Sequence, residues 1–144
     1  MKDKITDWKS CMDSLTAKNI KPDEGKIKSL LKSSESKFLS EGRLEMDKIT
    51  ATSKFSLAYE SMREALEALA IKKGYKIYNH ECYTYFLKEI IGESSRGDDF
   101  DVIRKMRNSV NYYGRELTPQ QADRLIVQIK ELRNFVLTLL KTTL

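Results

Sequence analysis

Two arginines and two carboxamides stand close together in this chain, at Arg104, Arg107, Asn108 and Asn111. They belong to the run Asp101-Val-Ile-Arg104-Lys-Met-Arg107-Asn108-Ser-Val-Asn111-Tyr112-Tyr113-Gly114. Wound as a helix at about 100° per residue, the run puts Val102, Ile103, Met106, Val110 and Tyr113 on one face. The four polar groups fall opposite. A guanidinium fork matches the oxygens of a phosphate or carboxylate two at a time, and amides hydrogen-bond beside it. No acid interrupts the run between Asp101 and Glu116. The face is therefore a candidate site for an anionic ligand. Its competing use is the commoner one: a solvated stripe, or arginines paired with glutamates elsewhere in the fold.

The elements that must position this face are helices. Glycine is sparse, the only prolines are Pro22 and Pro119, and no stretch alternates cleanly with period two. The pattern predicts a single all-α domain over 1–144. Ile5, Trp8, Met12 and Leu15 mark a short amphipathic helix within residues 1–20. A second helix is expected from about Pro22 to Ser40, burying Ile27, Leu30, Leu31 and Phe38 and exposing a face rich in Lys and Ser. The third and longest, from about Leu44 to Lys73, carries Phe55, Tyr59, Met62, Leu66 and Leu69 at spacings of four and three. That is the seam of a helix packed along its whole length. Ala58, Ala65, Ala68 and Ala70 admit close neighbours, and Gly74 ends the helix. A short connection with Asn79 as N-cap leads to a fourth helix with Cys82, Tyr85, Phe86, Ile90 and Ile91. Residues 92–98 read as a flexible polar loop before the Arg-Asn helix. Thr118 then caps, and Pro119 opens, a last helix to about Lys141. Its apolar stripe is broad enough to cover its own bundle and a partner chain.

Composition excludes several classes. The chain has 26 basic and 21 acidic residues, a formal charge of +5, which permits phosphate contacts without demanding them. No apolar run approaches the roughly 20 residues that span a bilayer. The first residues lack the apolar segment of a signal peptide, so a cytoplasmic protein with no membrane partner is expected. Cys11 and Cys82 lie in no CxxC or Cys/His cluster, and the expectation is two buried core thiols rather than a disulfide or metal ligands. With His80 the only histidine, the sequence groups no metal site and implies no cofactor.

Three features in this order resemble the HEPN domains, a family of small helical bundles. They are the long helix ending Leu69-Ala-Ile-Lys-Lys-Gly74-Tyr75, the opening Asn79-His80-Glu81, and the run Ile103 to Gly114 quoted above. Together they span about 44–140. The resemblance implies an up-and-down bundle of four to five helices, forming a two-fold homodimer in which the Arg-bearing helices of both chains meet at a shared cleft. Many relatives are metal-independent ribonucleases, often toxins of prokaryotic toxin–antitoxin or other defence systems, and a small nucleotidyltransferase is a frequent partner. The family motif is Arg, four to six residues, then His. The imidazole moves the proton of the RNA 2′-hydroxyl, and Arg stabilises charge on the phosphorane.

Here the chain departs from that motif. Counted from Arg107 the His position falls on Tyr112, Tyr113 or Gly114; counted from Arg104 it falls on Ser109, Val110 or Asn111. No register supplies an imidazole. Tyrosine, with an ordinary pKa near 10, is a poor base at neutral pH. Three functions follow as alternatives. One is a HEPN-type protein binding RNA or a nucleotide through Arg104, Arg107, Asn108, Asn111 and Tyr112, acting with a nucleotidyltransferase. Another is an active ribonuclease in which Arg107 works with a nonstandard base, Tyr112 first. The last is a helical scaffold with no ligand. His80 could serve as a displaced base, but the resemblance implies a structural capping role for Asn79-His80-Glu81. Tyr113 would match a position adenylylated in relatives only if Asn111 replaces the missing His. Tyrosines at 75, 78, 83, 85, 112 and 113 suit either stacking on bases or filling of helix interfaces.

Overall fold

A computed structural model describes residues 4–142. In chain order it contains α1 (Trp8–Asp13), β1 (Ala17–Asn19), α2 (Glu24–Arg43), α3 (Ala51–Lys72), β2 (Tyr75–Ile77), α4 (Glu81–Tyr85), α5 (Ser94–Tyr113) and α6 (Pro119–Thr142). Helix α4 runs on into a π-helical turn, Phe86–Ile90. The mostly helical architecture matches the expectation.

Helix α3 is the axis. Its seam residues Phe55, Tyr59, Met62, Leu66 and Leu69 are all buried, as are the four alanines between them. Helices α2 and α6 flank it, and α5 and β2 also touch it. Charged residues on so enclosed a helix are kept only where they are paired: buried Lys54 holds Glu41 at 3.1 Å and buried Glu64 accepts from Lys37 at 2.7 Å. A polar seam runs through the same layer. The Ser34 hydroxyl donates to the Ser61 carbonyl at 2.6 Å, Ser61 returns a bond to the Ser34 carbonyl at 2.9 Å, and buried Arg133 donates to Ser34 at 3.0 Å. Ser34 thus leaves the face of α2 expected to be exposed. Its serine partner and the Arg133 guanidinium satisfy it inside the core.

Several boundaries move for identifiable reasons. Residues 1–3 of the first predicted helix lie outside the described residues. From residue 4 on, the helix is confined to Trp8–Asp13 by an Asp7 cap, whose carboxylate accepts from the Ser10 N–H at 2.8 Å. Leu15 then takes a left-handed φ of +62° and turns the chain into β1. Helix α3 begins later than predicted because the Asp47 carboxylate accepts from the Ile49 and Thr50 N–H groups at 2.7 and 2.9 Å, folding residues 44–50 into a turn. The segment 92–98, expected as a loop, is helical from Ser94 onward. Gly97 is its clue: a Cβ there would stand 2.8 Å from the Thr84 carbonyl, so only glycine lets α5 approach α4.

The connection after Gly74 is a strand. β1 and β2 pair antiparallel with Ala17 opposite Ile77, Lys18 opposite Lys76 and Asn19 opposite Tyr75. Ala17 and Ile77 face the core, while Trp8 meets Tyr75 edge-on at 5.1 Å. The two cysteines form a disulfide, Cys11–Cys82, joining α1 to α4. This corrects the expectation of free thiols. Spacing in sequence carries no information on approach in space, and the small sheet is what brings the two ends together.

Candidate functional site

Helix α5 is stopped by Gly114, whose φ of +66° is left-handed and whose N–H donates to the Ser109 carbonyl. Ile103 is fully buried, with Met106 and Val110 partly covered. Val102 and Tyr113, assigned to the same apolar face, are instead 60% and 84% exposed. They sit at the edges of a stripe narrower than the one expected, and near the helix end Tyr113 has no neighbour layer to enter.

On the other side of α5 opens a cleft of about 560 Å³. Its lining comes from two directions. Arg104, Arg107, Asn108 and Tyr112 come from α5; Tyr78, Asn79 and His80 come from the chain between β2 and α4, and Glu81 from the start of α4, with Thr16 beside them. Four of the five residues singled out by sequence meet here. Asn111 does not line the cleft, but with its amide oxygen turned inward it accepts from Arg107 Nε at 3.0 Å and Nη2 at 3.3 Å. It is a positioning residue.

The two arginines differ in state. Arg104 is tied down, donating through Nε and Nη2 to Asp101 Oδ1 at 3.1 and 2.7 Å. The same oxygen accepts from Thr84 at 3.3 Å, and Lys105 pairs with the other at 3.1 Å. Burial pushes the Asp101 carboxyl upward, but the Arg104 and Lys105 contacts outweigh it and hold it below its usual range. Arg107 has no carboxylate partner among the described residues. Its guanidinium lies 5.6 Å from the Tyr59 ring centre and 5.9 Å from that of Tyr112. Two rings and one amide orient it without neutralising it.

His80 is the group for which sequence reasoning assigned the wrong task. The capping bond belongs to Asn79, whose side-chain oxygen accepts from the Glu81 N–H at 2.9 Å. The His80 ring makes no cap bond and lies beside the arginines, its Nδ1 3.0 Å from the Tyr59 hydroxyl. Burial, then the positive field of Arg107, Arg63 and Arg104, lowers its pKa to about 4, against a smaller upward pull from Glu60. The imidazole is therefore neutral at pH 7. Burial also raises the Tyr59 phenol, which stays protonated. The only acid on the cleft wall is Glu81, whose carboxylate accepts from the Tyr85 hydroxyl at 3.4 Å. Tyr112, the first candidate base, is 70% exposed at the rim.

No family model, curated protein or solved structure matches this chain. Its chemistry must be argued from the cleft itself. Two guanidinium groups, two amides and a neutral imidazole can bind and polarise an oxyanion; the imidazole can also accept a proton.

Proposed function

We propose that this protein binds RNA or a nucleotide, taking a phosphate into the cleft beneath Arg107. The observation that carries this reading is the Arg107 guanidinium, oriented by Tyr59, Tyr112 and Asn111 and left without a carboxylate. A merely solvated arginine has no need of three orienting partners. Arg104 and Asn108 supply further donors, and Tyr112 offers a ring to a base. The resemblance of the Arg-Asn helix to HEPN domains extends the proposal to a two-fold homodimer working with a nucleotidyltransferase partner in a toxin–antitoxin or defence-like system. The test is binding of a labelled single-stranded RNA between 50 and 200 mM salt. Wild type should weaken with a log–log slope of about one per phosphate contact, and Arg107→Ala should lose roughly tenfold in affinity or more. A scaffold protein would tolerate Arg107→Ala with no change.

A second reading rests on His80. An uncharged imidazole beside an unpaired guanidinium is the constellation for metal-independent RNA cleavage. His80 would take the 2′-hydroxyl proton as the 2′-oxygen attacks phosphorus, and the imidazolium so formed would return that proton to the leaving 5′-oxygen as the P–O5′ bond breaks, giving a 2′,3′-cyclic phosphate and a 5′-hydroxyl. Cleavage in EDTA that disappears in both His80→Ala and Arg107→Ala would establish it; persistence in His80→Ala would remove it.

A further inference from the structure

The outer face of the small sheet continues the cleft. Strand residues alternate sides, so Lys18, Lys76 and Tyr78 share the face opposite core-facing Ala17 and Ile77. Tyr78 extends the ladder by one step, its N–H donating to the Thr16 carbonyl at 2.8 Å, and both residues also line the cleft. Lys18 and Lys76 stand directly opposite each other, an arrangement of like charges that costs stability in a bare sheet. Both ammonium groups lie over the Tyr78 ring, at 5.5 and 5.9 Å from its centre. Lys76 also reaches the Glu67 carboxylate at 3.3 Å, whereas Lys18 has no carboxylate partner among the described residues. Tyr78 itself is 55% exposed, an aromatic ring at the surface beside two cations.

Resting on the phosphate-binding reading above, we infer that this face is a second subsite for single-stranded RNA. One unpaired base stacks on Tyr78, with the adjoining phosphate between Lys18 and Lys76, while the neighbouring nucleotide occupies the Arg107 cleft. Aromatic stacking with flanking cations is the economy of single-strand binding, because every base has a π-face and every linkage a charge. An anion between Lys18 and Lys76 would also relieve their repulsion. The ligand this implies is longer than one nucleotide and unpaired, since a duplex hides its base faces.

The experiment compares two labelled oligomers, hexaadenylate RNA and a hexamer of abasic ribose-phosphate units, on wild type, Tyr78→Ala, Tyr78→Phe and Lys18→Gln. Hexaadenylate should bind wild type roughly tenfold or more tighter than the abasic oligomer. Tyr78→Ala should lose most of that difference, while Tyr78→Phe keeps it. Lys18→Gln should weaken both oligomers and lower the salt slope by about one. If Tyr78→Ala binds hexaadenylate as wild type does, or the abasic oligomer binds equally tightly, the stacking subsite is wrong and the phosphate site stands. If wild type binds neither, the phosphate reading fails and takes the subsite with it.

Discussion

At the scale of single residues, the site depends on groups that sequence spacing could name and groups it could not. Arg104, Arg107 and Asn108 were legible because a helix puts residues three and four apart on one face. That reasoning holds within one element, and it stops at the element's edge. It named Asn79 as the cap, but it could not say that Asp101 would bind Arg104 and leave Arg107 open, nor that His80 would lie beside the arginines. Gly97 shows how much a single missing methyl decides. A Cβ at that position would come within 2.8 Å of the Thr84 carbonyl and 2.5 Å of Lys88 Cγ. Lys88 can move; the Thr84 backbone cannot without displacing α4. Gly97→Ala should therefore destabilise by about 1–3 kcal/mol, offset in part by the ~1 kcal/mol that alanine gains over glycine in a helix. The midpoint of urea unfolding reads the balance: a lower midpoint is expected, and a higher one would mean that α5 does not pack on α4 this closely.

At the scale of elements, the long helices were written plainly and the short ones were not. The α3 seam and the α6 opening follow from repeating spacings and from a cap. Thr118 and Gln121 exchange side-chain bonds with each other's N–H at 3.1 and 3.0 Å. β1 and β2 contain three residues each, too few for period two to emerge from the sequence, and their pairing is decided across a large separation. The disulfide was missed for the same reason. It closes a segment with a sequence separation of 71, which by loop-closure entropy contributes about 4 kcal/mol. Reduction by an excess of a small dithiol, or the double change Cys11→Ser with Cys82→Ser, should lower the melting temperature clearly. Identical melting curves, or two free thiols titrated in the unreduced unfolded protein, would contradict the bond. Because Cys82 follows His80 and Glu81 on α4, loss of the tether should also loosen one wall of the cleft.

At the scale of the whole molecule, charge and shape bear on partners. The excess of basic residues is mild, but the cleft and the sheet face concentrate it: Arg104, Arg107, Lys18 and Lys76 gather there, with Asp101 paired to Arg104 and Glu67 to Lys76 while Arg107 and Lys18 have no carboxylate partner among the described residues. No helix among the described residues is long and apolar enough to cross a membrane. On the other side of α5 a shallow groove of about 250 Å³ runs between Val102 and Met106 and the Leu125 region of α6. The proposed homodimer, by the resemblance that suggests it, would instead bring the Arg faces of two α5 helices together across the cleft. Sedimentation at micromolar concentration should then give twice the chain mass of 16.7 kDa. A wild-type chain that sediments as a monomer would remove the dimer and leave the cleft untouched.

One measurement addresses the cleft directly, because it contains the only histidine. The His80 ring signals can be followed by NMR through a pH titration, alone and with a short single-stranded RNA bound. In the free protein the imidazole should titrate near 4, well below the ordinary 6.5, because burial and Arg107 oppose its charge. A phosphate seated beneath Arg107 places negative charge beside the ring, so binding should shift the ring signals and raise that titration. In Arg107→Ala the RNA-dependent rise should vanish. If RNA binds the wild type while His80 keeps both its signals and its titration, the phosphate lies elsewhere, and the site argued from Arg107 is wrong.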